Sequence, residues 1–340
     1  MSLFSLITGS YLSKDYARGV FEESEPYEKD FSKYYEENLK PLANEFEKFR
    51  IHSLMKASKR IRIAVPVAIL VFVLSILLIK DDATSEDMIE NVVVMSIIIY
   101  GVLIAWVYQS INIYTSSIKS EIFPIIMAFL GPYQYYTGSV SMVKKFDNSQ
   151  IIPNYDYEHS EDLVTGTYKD VSINLFQTRL VEEIHFFQKS AITVFKGVFV
   201  SLSMNKKFNY NTIITKNMGK FVHMVNGKPS NLQNVELEDP KFSNIFEVFS
   251  GDQIEARYLL TTSFMERLIR LQEAFHGQSI KCSFFDNQLL MMISIKDGWF
   301  EAGSIYEAED FVDDAKSLLK EMHMIFSIID ILKLNQNIGM

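Results

Sequence analysis

Two uncharged stretches decide the fold: IAVPVAILVFVLSILLI at residues 63–79 and VVVMSIIIYGVLIAWVY at residues 92–108. Each stretch is 17 residues long, and 12 residues separate them. At about 1.5 Å per residue, a helix of this length spans about 26 Å, close to the thickness of the hydrocarbon core of a bilayer. Two such stretches so near each other predict a transmembrane helical hairpin rather than two buried helices of a soluble core.

The charges around this hairpin predict its orientation. The connector, residues 80–91, carries five acidic side chains against Lys80 alone, whereas residues 48–62 before the first span carry six basic side chains. Positive charge is retained on the cytoplasmic side of membranes. We therefore expect a two-span protein of the cell inner (plasma) membrane, with both termini in the cytoplasm and the connector outside.

Composition argues against several classes of protein. The formal charge of the chain is −9, which disfavours a nucleic-acid partner because phosphate binding needs a basic surface. Cys282 is the single cysteine, and the six histidines are scattered without an H-x-x-x-H unit, so the sequence predicts no metal site and no cofactor. Neither span contains a charged residue, which argues against an ion pathway through the hairpin.

Helical periodicity continues on both sides of the hairpin. Apolar residues recur every three or four positions from Phe31 to Leu54 and again from Ile111 to Phe129. These helices either pair with each other or pack on the soluble domain. The predicted organisation is a cytoplasmic helical segment (1–60), the hairpin (61–109, with spans at about 61–79 and 90–108 and a short external loop at 80–91), a helical connector (110–132) and a soluble domain (133–340).

The soluble domain is predicted to be an antiparallel sheet with helices. Val, Ile, Phe and Thr dominate several short segments bounded by turn residues, as in strands. Asp286-Asn287 is typical of a hairpin turn, and the pairs Ser263/Glu266 and Ser304/Glu307 are typical of capping boxes that each start a helix. Strands outnumber crossover helices, which favours an α+β class. The predicted strands are 168–178, 193–204, 211–215, 220–225, 245–249, 280–285 and 289–295.

Three segments resemble a bacterial family of uncharacterised membrane proteins catalogued as domain of unknown function 3137, some members of which carry the automated label "galanin". They are LEDPKFSNIFEVFSGDQIEARYLLTTSFMERL (237–268), TVFKGVFVSLSMNKK (193–207) and CSFFDNQLL (282–290). The paired spans upstream match the usual layout of that family. Where relatives often have Pro, this chain has Thr262. The resemblance implies a membrane-tethered domain and supplies no reaction and no catalytic residues.

One local cluster looks more chemical than the rest. Carboxylates next to an arginine can form a polar site in a cleft, but they can also cap a turn and form an ion pair that fixes a sheet against the following helix. If a site exists, its residues are Asp252, Gln253, Glu255 and Arg257, with Asp286 and Asn287 next.

The leading hypothesis is a membrane-anchored cytoplasmic interaction or scaffold domain of unknown process. Its partners would be the lipid bilayer and either another protein or further copies of the chain. The alternative is a membrane-associated enzyme or small-ligand sensor with a polar cleft near Arg257. No residue pattern identifies a catalytic centre, so the sequence leans away from an enzyme.

Overall fold

The computed structural model of the chain describes residues 19–79, 85–185, 189–217, 232–275, 278–296 and 298–334. The chain divides into two compact units, Met1–Ile125 with Ala302–Lys316 and Ile126–Glu301 with Ser317–Met340. The first unit contains two long apolar helices, and the second contains a β-sheet with short helices. The predicted α+β class is therefore confirmed.

Eight α-helices lie in the described residues. They are α1 (Phe31–Asn38), α2 (Lys40–Ile79), α3 (Glu86–Ser117), α4 (Phe123–Leu130), α5 (Pro240–Ile245), α6 (Gln253–Leu259), α7 (Thr262–Ala274) and α8 (Val312–Leu332). Pro41 is the second residue of α2, where its missing N–H costs nothing. A π-helical turn, Ile118–Ile122, separates α3 from α4 just before Pro124.

Helices α2 and α3 are long and apolar enough to cross a membrane. In the most apolar 18-residue stretch of each helix, 11% and 0% of the residues are buried, so apolar side chains cover the outside of the pair. The two helices are antiparallel and pair with each other: the rings of Phe49 and Tyr114 lie 5.6 Å apart, and the guanidinium of Arg60 lies 5.3 Å from the ring of Trp106. A helix hydrophobic on its outer face is typical of a segment surrounded by lipid.

Nine strands form one antiparallel sheet in the described residues, in the order β1-β2-β3-β4-β9-β8-β5-β7-β6. Its core includes stacked rings such as Phe176 and Phe199, whose centroids are 5.1 Å apart. The strands are β1 (Gln134–Tyr136), β2 (Tyr157–Tyr168), β3 (Val171–His185), β4 (Lys189–Ser203), β5 (Thr212–Lys216), β6 (Gln233–Asn234), β7 (Phe246–Ser250), β8 (Ile280–Phe285) and β9 (Gln288–Ser294).

The strand predictions agree with the structure in part. The β8–β9 hairpin across Asp286-Asn287 is confirmed. The predicted strand 168–178 is wrong at its start, because Lys169 and Asp170 form the turn that joins β2 to β3. Strands β1, β2 and β6 are absent from the prediction. The predicted strand 220–225 lies outside the described residues.

Both predicted helix starts are misplaced. The side chain of Thr261, not Ser263, accepts the cap hydrogen bond at α7, from the N–H of Phe264. Helix α8 starts at Val312 rather than near Ser304. Residues before it are held by other partners: the Glu309 N–H donates to the Glu47 carboxylate at 2.9 Å. The energy of such contacts outweighs the local capping preference.

Candidate functional site

The carboxylates predicted to form a polar site at the start of α6 serve the backbone instead. Asp252 is the N-cap of this helix, and its Oδ1 accepts the N–H of Glu255 at 2.7 Å. The carboxylate of Glu255 accepts the N–H groups of Asn209 and Tyr210, each at 3.1 Å. The Nε2 of Gln253 donates to the carbonyl of Asn234 at 2.9 Å. This is a capped helix start, as one of the two interpretations predicts.

Arg257 points away from this cap. Its side chain is exposed, and it forms no ion pair within the part of the chain that the structure describes. The predicted ion pair is therefore not found there. Arg257 therefore lies on the open face of α6.

Large side chains lie on the open face of α6 and on the segment before β5, and we call them the α6 patch: Ile254, Arg257 and Tyr258 of α6 and Tyr210 are exposed, and Lys206 is half-buried. Ile254 and Tyr258 are four residues apart on one helix face and are 79% and 58% exposed. The Lys206 Nζ lies 4.0 Å from the centre of the Tyr258 ring, a cation–π contact. Partial burial lowers the pKa of Lys206. Tyr and Arg side chains are common anchors of protein interfaces.

Asp286 and Asn287 lie elsewhere on the sheet. Asp286 has a positive φ of 47° in the turn between β8 and β9. Both residues line a small polar cavity of about 270 Å³. Its walls are hydroxyl and amide groups from β3, β4 and β9, namely Ser172, Asn174, Ser201, Ser203 and Gln288. None of the four residues from the start of α6 lines this cavity, so the six predicted residues occupy two separate places.

The first unit contains a buried charged cluster that sequence reasoning missed, here called the carboxyl network: Glu47, Arg50, Tyr114, Glu309 and Asp314. Arg50 is fully buried in α2. Its Nε and Nη2 donate to the two oxygens of Glu47, each at 2.7 Å, and its Nη1 donates to the carbonyl of Ile305 at 2.8 Å. A bidentate pair of this kind satisfies a buried guanidinium.

Two carboxyl groups of this network share the interior of the first unit. The Tyr114 hydroxyl donates a short hydrogen bond to Glu309, and the Gly303 N–H donates to Asp314 at 2.6 Å. Burial, and then the nearby charge of Asp314, raises the pKa of Glu309 to about 8. Burial raises the pKa of Asp314 to about 6. Burial also raises the pKa of Tyr114, so its hydroxyl remains a donor. We infer that Glu309 holds the proton at neutral pH, because the half-buried Glu309 and the buried Asp314 interact and resist joint ionisation.

The sequence did contain a signal for this cluster. Phe46, Arg50 and Leu54 are spaced by four residues, so an arginine occupies the apolar stripe that predicts the helix. A charged residue in that position needs a buried partner, and Glu47 is three residues before it. The dipole of α8 accounts for the acidic Asp313 in its first turn but not for Glu309, which precedes the helix.

Other ligand chemistry has less support from the geometry. No group of three or more His, Cys, Asp or Glu side chains in the described residues could hold a metal ion. Cys282 is buried in β8, and burial raises the pKa of its thiol to about 12, so it behaves as a core residue rather than a nucleophile.

These features define a class: an α+β protein that joins a nine-stranded antiparallel sheet to two helices of membrane-spanning length. Residues 193–334 match the family described as "Protein of unknown function (DUF3137)". This match confirms, over that region, the resemblance predicted from the sequence. No curated protein matches the chain significantly.

One solved structure that aligns with the chain is the crystal structure of the mycobacterial trehalose monomycolate transport factor A, TtfA. The alignment covers 63% of this chain and 94% of that chain, with 8% sequence identity and a TM-score of 0.34.

Proposed function

We propose that the protein is a membrane-anchored interaction domain whose α6 patch binds a partner protein on the cytoplasmic side. The observation that carries the anchor is the near-complete exposure of the apolar stretches of α2 and α3. Burying one Leu, Ile or Phe side chain is worth about 1.5–3 kcal/mol, so water is a poor solvent for two such helices. A bilayer supplies the burial that the fold does not.

The orientation is part of this proposal. The basic residues 48–62 before the first span and the acidic connector support a cytoplasmic location for both termini and an external location for residues 80–91. The variant Ser85→Cys should react with a membrane-impermeant maleimide in intact cells, whereas Lys241→Cys, at an exposed position, should react only after lysis. Buried Cys282 gives little background. Labelling of Lys241→Cys in intact cells would reverse the orientation.

The partner that fits the α6 patch carries acidic side chains beside an apolar one. Asp252 and Glu255 accept hydrogen bonds from backbone N–H groups, so Lys206 and Arg257 are the charged side chains of the patch that remain to contact a partner. The formal charge of the whole chain is −9, so a basic, apolar surface differs from the average character of the chain. Complementary charge steers association and selects the partner.

A photoreactive amino acid at Tyr258 tests this binding in cells. We expect a crosslinked adduct with one protein, which mass spectrometry identifies, and the crosslinked segment should contain acidic residues. Arg257→Glu should abolish the adduct, and replacing the facing acidic residues of the partner by Lys should restore it. Tyr157, which is 50% exposed on β2, is the matched control position and should give no adduct.

Three results would overturn the proposed binding. The adduct could persist in Arg257→Glu, it could appear equally from Tyr157, or it could join two copies of this chain. The last result would mean that the patch is a self-association surface. The membrane anchor is tested separately, by extraction of the full chain with alkaline carbonate, which should leave it in the membrane pellet.

A further inference from the structure

A second polar cavity, of about 370 Å³, opens on one face of β2, β3 and β4 in the sheet unit. Three basic side chains from these strands line it: His159, Arg179 and Lys196. The strand register places His159 opposite Arg179 and Arg179 opposite Lys196, so they form one row across three neighbouring strands. We call these three residues the basic row. Like charges directly opposite each other destabilise a sheet, so this arrangement has a cost.

Carboxylates face the same cavity without neutralising the basic row. Glu161 and Glu301 also line it. Neither Arg179 nor Lys196 forms an ion pair in the described residues; the Lys196 Nζ donates instead to the carbonyl of Lys296 at 3.1 Å. Glu161 is held weakly, by the Nε2 of Gln177 at 3.4 Å. Opposite charges are therefore present in one cavity but kept apart.

A β-bulge shapes the wall of the cavity at Glu161. Between Glu161 and Val164, strand β2 has one residue more than its partner β3. Asp162 in the bulge has a φ of 58° and is 1% exposed, and its Oδ1 accepts the hydroxyl of Tyr135 at 2.6 Å. Burial raises the pKa of Tyr135, which keeps that donor protonated. The bulge thus fixes Asp162 inside the protein while Glu161 faces the cavity. Bulges often re-aim side chains beside binding sites.

We propose that this cavity binds a small zwitterion. Its anionic group contacts Arg179 and Lys196 of the basic row, and its ammonium group faces Glu161 and Glu301. Neighbouring strands lie about 4.8 Å apart and alternate residues on one strand about 7 Å apart, so the basic row and the Glu161 position are separated by the size of a small molecule. The cavity volume is within the range of small-ligand sites, and a few fixed polar groups provide specificity.

The shared chemistry could come from two sources, a free phosphoethanolamine-like compound or the headgroup of phosphatidylethanolamine. The probe is therefore phosphoethanolamine, titrated into the full chain in a non-ionic detergent and followed by calorimetry. We expect saturable binding. Arg179→Gln should weaken it by about tenfold or more, because a charge-assisted hydrogen bond is lost. Arg270→Gln, an exposed arginine on α7, is the matched control and should leave the affinity unchanged.

The variant Glu161→Gln distinguishes the binding of a zwitterion from the binding of a simple anion. This variant should lower the affinity for phosphoethanolamine, whose ammonium group loses its carboxylate partner. The affinity for inorganic phosphate should be unchanged or higher. The thermal midpoint of each variant is measured first; all of the substituted side chains are exposed, so the fold should be retained. The same titration in nanodiscs with and without phosphatidylethanolamine identifies the source: competition by the lipid indicates a headgroup, and unchanged affinity indicates a free small molecule.

The proposal fails if phosphoethanolamine shows no saturable binding, or if Arg179→Gln and Arg270→Gln behave alike. It also fails if inorganic phosphate binds as tightly as phosphoethanolamine, since the carboxylates would then make no contact. None of these results depends on the α6 patch or on the partner proposed for it.

Discussion

The substitution Glu309→Gln tests the carboxyl network through the pH dependence of local stability. In the folded protein, burial raises the pKa of Glu309 to about 8 from its ordinary value of 4.5. Once the segment opens, the carboxyl regains the ordinary value. The contribution to stability is therefore fully present below pH 4.5 and is lost as the pH rises through about 8. Segment 302–316 should become easier to open as the solution becomes more alkaline.

The expected size follows from these two pKa values. One pKa unit corresponds to about 1.4 kcal/mol, or tenfold in an equilibrium constant. Integrated from pH 6.5 to 8, the loss is roughly tenfold in the opening equilibrium, because Glu309 is already half ionised at the upper end. Asp314, whose pKa rises to about 6 from 3.8, contributes below this window. The amide introduced by Glu309→Gln would keep an acceptor for Tyr114 and would have no proton to lose.

Hydrogen exchange with mass spectrometry measures this on the full chain in detergent. Protection factors of peptides from residues 302–316, corrected for the intrinsic pH dependence of exchange, should fall roughly tenfold between pH 6.5 and 8 in the wild type. In Glu309→Gln they should be nearly constant. Glu307→Gln, which replaces an exposed acidic residue of the same segment, should follow the wild type.

A flat profile in the wild type would refute the reasoning, because it would mean that Glu309 is ionised in the folded protein. The same conclusion would follow if Glu309→Gln reduced protection at pH 6.5 by more than the wild type loses at pH 8. In that case the amide would fail to replace a protonated carboxyl, and the carboxylate form would be the one that the network stabilises.

Two further substitutions probe packing. Arg50→Met should destabilise the first unit by about 1–3 kcal/mol, since it leaves the partly buried Glu47 carboxylate without its partner; thermal unfolding in detergent would show the change, and an unaltered midpoint would contradict this contribution of the pair. Gly197→Ala should lower the free energy of unfolding by about 1–3 kcal/mol, because a Cβ at this position would overlap the carbonyl of Ile293. Gly101→Ala is the control and should be tolerated, because a Cβ there meets nothing within 4 Å. Equal unfolding midpoints for the two variants would contradict the contact with Ile293.

The elements that could be predicted from the sequence are those with strong local patterns. The two apolar stretches predict the membrane-length parts of α2 and α3, because a run of 17 uncharged residues has few stable conformations other than a helix. The β8–β9 hairpin follows from two strand-like runs around Asp286-Asn287. In both cases, neighbouring residues contain the information and distant contacts only reinforce it.

The elements that were missed depend on distant residues. Strand β2, with the sequence YEHSEDLVTGTY, is largely polar, and its burial alternates only in part, so its pairing with β3 is what makes it a strand. The start of α8 moves to Val312 because residues before it bind Glu47 and Tyr114, about 200 residues or more away in the chain. No local pattern reports such partners.

The candidate sites show the same difference between features formed by neighbouring residues and features formed by distant residues. The capped start of α6 was one of two interpretations open from the sequence, because an N-cap is a local feature. The basic row was not predictable, since His159, Arg179 and Lys196 become neighbours only through the register of three strands, one of which contains a bulge. A shift of one residue in that register would move Arg179 to the opposite face of the sheet.

The charged side chains differ in whether other groups of the protein already bind them, and this difference indicates where a ligand or partner can add contacts. Asp252, Glu255 and Glu309 all accept hydrogen bonds from the protein itself, so a ligand directed at them would first have to break a cap or a buried network. Arg179 and Arg257 are exposed and form no ion pair in the described residues. An arginine without an anion retains its full capacity for a bidentate contact. Acidic groups brought to these two arginines therefore add interactions that the fold lacks, and this asymmetry supports the two binding surfaces proposed above rather than sites at the acidic clusters.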